Sequence, residues 1–575
     1  MAQRWRPTGE SRLRAVYGES VARVAACRPY AKVLAGESVP SPCGDGSADY
    51  LGGVHRTPAG MQLAGMPDGG AAVWDARDVW GWRGMRPAAG LIRRHINSFN
   101  ALQFMVGATS PMAVLVGGVV NTYATTGVLG APLAFLVVGG ALALLMVGYL
   151  AMTNREGNAA PAYAFLGLGL GPSWGIAGGV LMFAATNAIQ ISLYGLFGAT
   201  TAELTGVGHW TGWALAAWAL VAVFGLANFS LGKTFIAIVG VAELVMIGAV
   251  ILAAFTHPHD GQVSTAPLMV AALWDQRATV GGVFALTVAA FVGVESGAAY
   301  AEEGKTDKTM VHATVATLLV LPVLYCAMAW ALPVWTGPDQ IIDEARNAGH
   351  SGFPFTIVAE GYGAGMVALA QLLMLTSFFI SALAFHQVIG RYVHAIAREG
   401  VIPAWLADVG RLGGRMAGAT APASLLQSGI ALAVIGVCAL LRVDPIGGMF
   451  IWLSSGAAVG VLVTLVGVSI ATVLYFRKGG GLGRDPLIVR TAGPVLGAIV
   501  GSALVAVIVV NQAALLGVTS VGLQAVIPAL VLATIVAGLW YARRVRRVWP
   551  DRYAAVGRGR PDEVMVPDQQ VGFRV

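Results

Sequence analysis

From about residue 98 onward the chain is a succession of apolar runs near twenty residues long, separated by short stretches where Lys, Arg, Asp, Glu, Gly and Pro collect. A helix needs about that length to cross the hydrocarbon of a bilayer. The pattern predicts twelve spans, at about 98–123, 131–152, 173–202, 210–228, 232–255, 280–302, 310–335, 363–390, 421–441, 448–476, 492–512 and 523–545. Two of the runs are interrupted in the same way. Met105-Val106-Gly107-Ala108-Thr109-Ser110 in the first span and Phe291-Val292-Gly293-Val294-Glu295-Ser296 in the sixth both read large apolar, Val, Gly, two variable residues, Ser. Pro111 follows the first of them directly, and the second carries a carboxylate at a depth where charge is costly. Backbone freed by a broken helix is tolerated there only if protein or a wet cavity surrounds it. Two breaks at corresponding positions therefore predict a shared central site.

Composition agrees with a membrane protein and removes other classes. The chain of 575 residues is 56% hydrophobic and only 11% charged, against about a quarter charged in soluble proteins. Its net charge of +7 would suggest nucleic acid in a soluble chain, but the basic residues fall between spans and act as topology signals. With a cytoplasmic N-terminus, the inner loops hold Arg155, Lys233, Lys305, Lys308, Arg391, Arg398, Arg477, Lys478 and the cluster Arg543, Arg544, Arg546 and Arg547, while Arg277, Arg346 and Arg442 fall outside. Both termini are therefore expected in the cytoplasm, with the protein in the cell membrane. No Gly-x-x-x-x-Gly-Lys-Ser/Thr motif is present to bind a nucleotide. The four cysteines, Cys27, Cys43, Cys326 and Cys438, show no metal or redox spacing, and no cofactor or metal is expected.

Residues 1–92 are rich in Arg, Gly, Pro and Ser and read as a disordered cytoplasmic tail without a signal peptide, with Met85 as an alternative start. Two inner connections carry structure of their own. Ala160 to Leu170 predicts a short helix along the membrane face, and residues 391–407 predict a helical extension of the eighth span ended by Gly400 and Pro403. The loop 336–362 predicts a short helix around Asp339 to Arg346.

Several of these stretches resemble the amino acid-polyamine-organocation (APC) superfamily, in particular its bacterial amino acid permeases. They are Gly293-Val294-Glu295 followed by Glu302-Glu303-Gly304-Lys305; Ala384-Phe385-His386-Gln387 leading to Arg391-Tyr392 and Ala397-Arg398-Glu399-Gly400-Val401-Ile402-Pro403; and Asn158 to Leu170 with Gly171-Pro172. The resemblance covers about residues 95–545. It implies a five-plus-five inverted repeat, with a first repeat at 93–255, a second at 256–476, two peripheral helices at 477–547 and a cytoplasmic tail at 548–575. The implied function is secondary-active transport of an amino acid or related amine by alternating access, as a symport driven by protons in preference to sodium. An exchanger of amino acid for amine, a channel and an amino acid sensor stand as rivals.

The candidate site follows from the two breaks. If the first helix unwinds over Gly107 to Ser110 and resumes after Pro111, the new helix start offers free amides, and a carboxylate is expected on Ala108, Thr109 and Ser110. The second break should present the carbonyls of Phe291, Val292 and Gly293 to an ammonium group. Donors on one helix and acceptors on the other match the zwitterionic backbone of an α-amino acid. Asn187, Gln190 and Tyr194 follow at near-helical spacing in the third span and are expected either at the side-chain end of the pocket or as polar glue between helices. Glu295 is a proton carrier or gate, or else an acid that holds the unwound backbone open. Glu243, buried in the fifth span, is a proton site or a packing partner; a lysine stands near this place in some proton-coupled relatives, so their mechanism does not carry over. A sodium site could use the Val106 carbonyl with Thr376, Ser377 and Ser381, unless these hydroxyls bond their own helix. Trp452, Ser454 and Ser455 in the tenth span have the same two readings, and His386 is expected to anchor helix packing.

Overall fold

The first span starts as α1 (Ser98–Thr109), whose N-cap Asn97 accepts the Asn100 amide at 2.8 Å. In this computed structural model, which describes residues 96–558 except 227–232, 278, 307, 348, 408–420, 481–484 and 512–520, a single residue, Ser110, then leaves the helical path. The span resumes through Pro111–Ala113, a π-helical stretch Val114–Val119 and Val120–Thr126, together labelled α2, and stops at left-handed Gly127. Helices α3 (Ala131–Thr153), α4 (Pro161–Leu170), α5 (Pro172–Thr205), α6 (Trp210–Leu226) and α7 (Lys233–Thr256) follow. Proline opens α4 and α5, where its missing N–H removes nothing from the helix.

The sixth span is α8 (Val280–Phe291) continued by a tight 3-10 segment, Val294–Glu303. Beyond it come α9 (Thr309–Thr336), the short α10 (Ile341–Asn347) and α11 (Gly349–Tyr362), then α12 (Ala364–Arg398) and α13 (Ala421–Leu440). The last spans are α14 (Trp452–Arg477), entered through a π-helical turn Pro445–Ile451, α15 (Gly493–Val510) and α16 (Val526–Val548), with α17 (Pro550–Ala554) after them. Among the described residues no strand forms, and one isolated backbone bridge joins Ile96 to Gly304. All described residues belong to one compact unit, Trp74–Val575.

The protein is thus an all-α polytopic membrane protein. Eleven helices among the described residues have the length and apolarity to cross a bilayer. The twelfth expected span, 210–228, forms α6, whose 17 residues are just short of that length and end beside the undescribed 227–232. Large apolar side chains such as Val245 (67% exposed), Leu319 (70%) and Leu440 (84%) cover the outside of the bundle, as lipid contact requires and water would penalise. The sixth span has 94% of its apolar window buried and α16 only 17%, so the broken sixth span is central and the last one peripheral. Spans meet closely where glycine permits. At Gly139 of α3 an added Cβ would lie 2.4 Å from the Pro322 ring of α9, which makes this a contact only glycine allows.

Two local expectations need correcting. The short helix α4 does not lie along a surface: Pro161 to Gly167 are buried between neighbouring spans, because ten largely apolar residues gain more from packing than from an interface. The loop 336–362 carries two helices, α10 and α11, where one was expected. The first described residues of the expected C-terminal tail pack on the bundle, with the Gly557 amide donating to Glu399 Oε2 at 2.8 Å. Helix α12 ends at Arg398 and the chain turns at left-handed Gly400 before a 3-10 turn Ala404–Ala407, as expected. The N-terminal stretch 1–92 lies outside the described residues.

Candidate functional site

The first break is narrow. Ser110 sits at φ 50° and ψ 74°, a left-handed conformation rare outside glycine, and its amide still donates to the Val106 carbonyl at 2.8 Å. Thr109 Oγ1 donates to the Met105 and Val106 carbonyls at 3.1 and 3.0 Å, closing the end of α1. The Ala108 carbonyl takes a hydrogen bond from Ser381 Oγ of α12 at 2.6 Å. On the other side of the break, Pro111 has no N–H and Val114 N–H returns to the Ser110 carbonyl at 3.0 Å. Position in the first turn therefore leaves the Met112 and Ala113 amides without an intrahelical acceptor. The donors expected on Ala108, Thr109 and Ser110 thus lie one turn further along, because α1 stays wound through Thr109.

The second break is at Val292 and Gly293. Val292 is extended and Gly293 lies at φ 117°, so the carbonyls of Ala290, Phe291 and Val292 lose the partners a continuous helix would supply. The Gly293 carbonyl, expected to be free, accepts Ser296 N–H at 3.1 Å and Ser296 Oγ at 2.5 Å. Glu295 reaches back to accept the Gly293 amide on Oε2 at 3.0 Å. Behind this bend the Phe291 ring packs among Phe135 and Tyr325, with centroids 6.2 and 5.2 Å away.

The two breaks touch. A Cβ added to Gly293 would come within 3.1 Å of Ala108 Cβ and 3.3 Å of the Thr109 nitrogen. Beside that contact lies a buried cavity bounded by Ala108, Thr109, Ser110 and Ala113 from the first span and by Ala289, Ala290 and Val292 from the sixth. Leu193 and Leu196 of α5, Ser381 and Phe385 of α12, and Phe450 and Ser454 complete the wall. It leaves about 40 Å³ for the centre of a water-sized sphere, room for about three or four waters at about 10–15 Å³ each.

Asn187, Gln190 and Tyr194 lie away from this cavity; Ile189, Leu193 and Leu196 of the same helix border it instead. Asn187 Nδ2 donates to the Phe183 carbonyl of its own helix, while Gln190 joins Tyr194 (3.0 Å) and Gln427 of α13 in a buried network that ties α5 to α13. Gly107 faces Ile380 and a different cavity, shared with Glu243. Of the tenth-span candidates, Ser454 borders the central cavity while Trp452 and Ser455 do not. His386 Nε2 meets Ser424 Oγ of α13 at 2.6 Å, as a packing anchor would. The wall residues Leu193, Leu196, Phe385 and Phe450 were not expected, because an apolar side chain in an apolar span gives no contrast to read.

Glu243 is joined to the first break through hydroxyls. Ser377 Oγ donates to Glu243 Oε2 at 2.8 Å and lies 2.7 Å from Ser110 Oγ. Thr376 spends its hydroxyl on Leu372 and Leu373 of its own helix, and Ser381 donates to Ala108. Each oxygen of the expected sodium site, the Val106 carbonyl included, therefore has a protein partner.

A second polar cluster closes one end of the bundle. Arg398 makes a two-pronged pair with Glu302 at 2.9 and 3.2 Å, and Arg391 Nε donates to Glu303 at 2.6 Å while its guanidinium sits 4.3 Å from the Tyr300 ring centroid. Tyr300 in turn stacks on Phe104 of α1. Next to them Tyr163 donates to Glu399 at 2.7 Å. Burial, and then the Glu399 carboxylate, hold the Tyr163 hydroxyl well above the usual phenol range, which keeps it a donor. Between this cluster and the central cavity is a smaller void bordered by Glu295, Tyr149 and Tyr392, and Phe385 stands in the wall of both.

A bundle of apolar spans with two facing helix breaks defines a class of membrane carrier, and comparison with known families agrees. The family model for amino acid permeases matches residues 96–537, well over half of the chain, and the chain belongs to that family, as the sequence resemblance implied. Membership points to transmembrane movement of amino acids and to a transporter in place of an enzyme. No curated protein matches the chain.

Proposed function

We propose that this protein is a proton-coupled symporter that binds the backbone of an amino acid between the two breaks and releases it by alternating access. The observation that carries the reading is the direct approach of Gly293 to Ala108 and Thr109. It brings Ala113, from the first turn after Pro111, and Ala290 and Val292, whose carbonyls are orphaned before Gly293, to the wall of one cavity. Amides at a helix start favour a carboxylate, and carbonyls favour an ammonium group. Breaks in the first and sixth spans also support a five-plus-five inverted repeat, and the basic residues collected in alternate loops support both termini in the cytoplasm.

Glu243 is the proton carrier in this reading. Its hydroxyl link through Ser377 to Ser110 connects the proton to the one residue whose conformation opens the first helix. The partners already held by Val106, Ser377 and Ser381 favour a proton over sodium at this place. Uptake into proteoliposomes tests both parts. A proton gradient should drive accumulation where a sodium gradient does not, and Glu243→Gln should abolish gradient-driven accumulation while counterflow of labelled substrate persists. Accumulation by Glu243→Gln at the wild-type level would remove Glu243 from the coupling.

A further inference from the structure

Resting on the permease reading, the chemistry of the cavity narrows the substrate. Among the residues that border it there is no acid, base, amide, imidazole or phenol. Its four hydroxyls are engaged with protein. Thr109 donates within α1, Ser381 donates to Ala108, Ser454 donates to the Ile451 carbonyl at 3.2 Å and Ser110 meets Ser377. The groups left for the charges of a ligand are main-chain amides after Pro111 and main-chain carbonyls before Gly293. The donating hydroxyls keep only neutral acceptor lone pairs, so the set can serve one carboxylate and one ammonium and offers no partner to a further charge.

We infer that the substrate is a neutral α-amino acid with a small aliphatic side chain, of alanine's size, and that neither a charged amino acid nor an amine lacking the carboxylate is carried. A charged side chain would be buried against Leu193, Leu196, Leu286 and Phe450 with no partner, and an unpaired buried charge is among the most expensive arrangements a protein can hold. An amine without its carboxylate would leave the Ala113 amide unmet. Size is limited by the large walls, Phe385 and Phe450, against the small ones, Ala113, Gly118 and Ala290. Gly118 borders this space, and a Cβ there would make only ordinary contact, 3.4 Å from Val114.

The experiment is a thermal-shift and uptake series on the full-length purified protein with glycine, L-alanine, L-leucine, L-arginine, L-glutamate and ethylamine. Bound ligand raises apparent stability, so glycine and alanine should stabilise and be taken up. Leucine should be at least about tenfold weaker, in line with discrimination by methylene count, and the remaining three should have no effect. Gly118→Ala should weaken alanine at least about tenfold relative to glycine, and Phe450→Ala should admit leucine. Binding of arginine, glutamate or ethylamine at the concentrations that suffice for alanine would overturn the inference and leave the permease reading standing. So would unchanged alanine-to-glycine preference in a folded Gly118→Ala. Failure of every amino acid to bind or move would remove the permease reading itself.

Discussion

At the scale of single residues, Glu295 shows how a buried acid takes its role from its partners. A carboxylate between glycines at mid-span reads equally as a proton carrier or as a brace, and the Gly293 amide on Oε2 favours the brace. Glutamine keeps an acceptor oxygen of the same reach, so Glu295→Gln should fold and accumulate substrate at close to the wild-type level. Glu295→Ala leaves the Gly293 amide buried and unmet and should lower stability by about 1–3 kcal/mol, with loss of uptake, as read by melting in detergent and by proteoliposome transport. A Gln variant that folds normally and fails to accumulate would return Glu295 to the proton path. The sequence revealed both breaks because Gly, Pro and Glu stand out against an apolar background. It did not reveal the register of the donors, because that depends on whether Thr109 stays helical, which its own hydroxyl decides by bonding back to Met105 and Val106.

At the scale of elements, the 3-10 segment Val294–Glu303 is held to α12 by two carboxylate–guanidinium pairs, Glu302 with Arg398 and Glu303 with Arg391. Their side chains are 8–17% exposed, so removing one partner strands a buried charge at a cost of about 3–5 kcal/mol. These pairs lie beyond the small void that Phe385 separates from the central cavity, on the route a substrate would take toward this end of the bundle. Neutralising both acids, as Glu302→Gln with Glu303→Gln, should bias the bundle open at this end. A cysteine at Ala299, which borders the void and is 3% exposed, should then react with a thiol reagent at least about tenfold faster, a change that needs only about 1.4 kcal/mol. The control is the same cysteine beside intact Glu302 and Glu303, with the native cysteines replaced; equal rates would mean that the pairs fasten the fold and do not gate it. The wall of the cavity on α5 was not legible for a related reason. Gln190 and Leu193 are both buried, so polarity alone does not say which of them faces the site.

At the scale of the whole molecule, hydropathy gave the spans and their order because lipid demands long apolar runs. It could not settle whether α6 crosses, since 17 residues span about 25 Å at 1.5 Å each, slightly less than the hydrocarbon thickness. If α6 crosses together with the eleven longer helices, both ends of the chain lie on one side. Fusions of a cytoplasm-only reporter to the N- and C-termini should then give the same result, both active where that side is the cytoplasm, and opposite results would show that α6 does not traverse the bilayer. The backbone bridge at Ile96 has a mechanical consequence of its own. Ile96 donates to Glu303 at 3.1 Å and accepts from Lys305 at 2.8 Å, fastening the near end of α1 to the far end of the 3-10 segment by main-chain atoms that only a proline would remove. The arms of both broken spans at this end are thereby yoked like a two-pronged lever, so that a swing of one pulls on the other, and a guest held between the breaks would lose its grip at both poles in a single stroke.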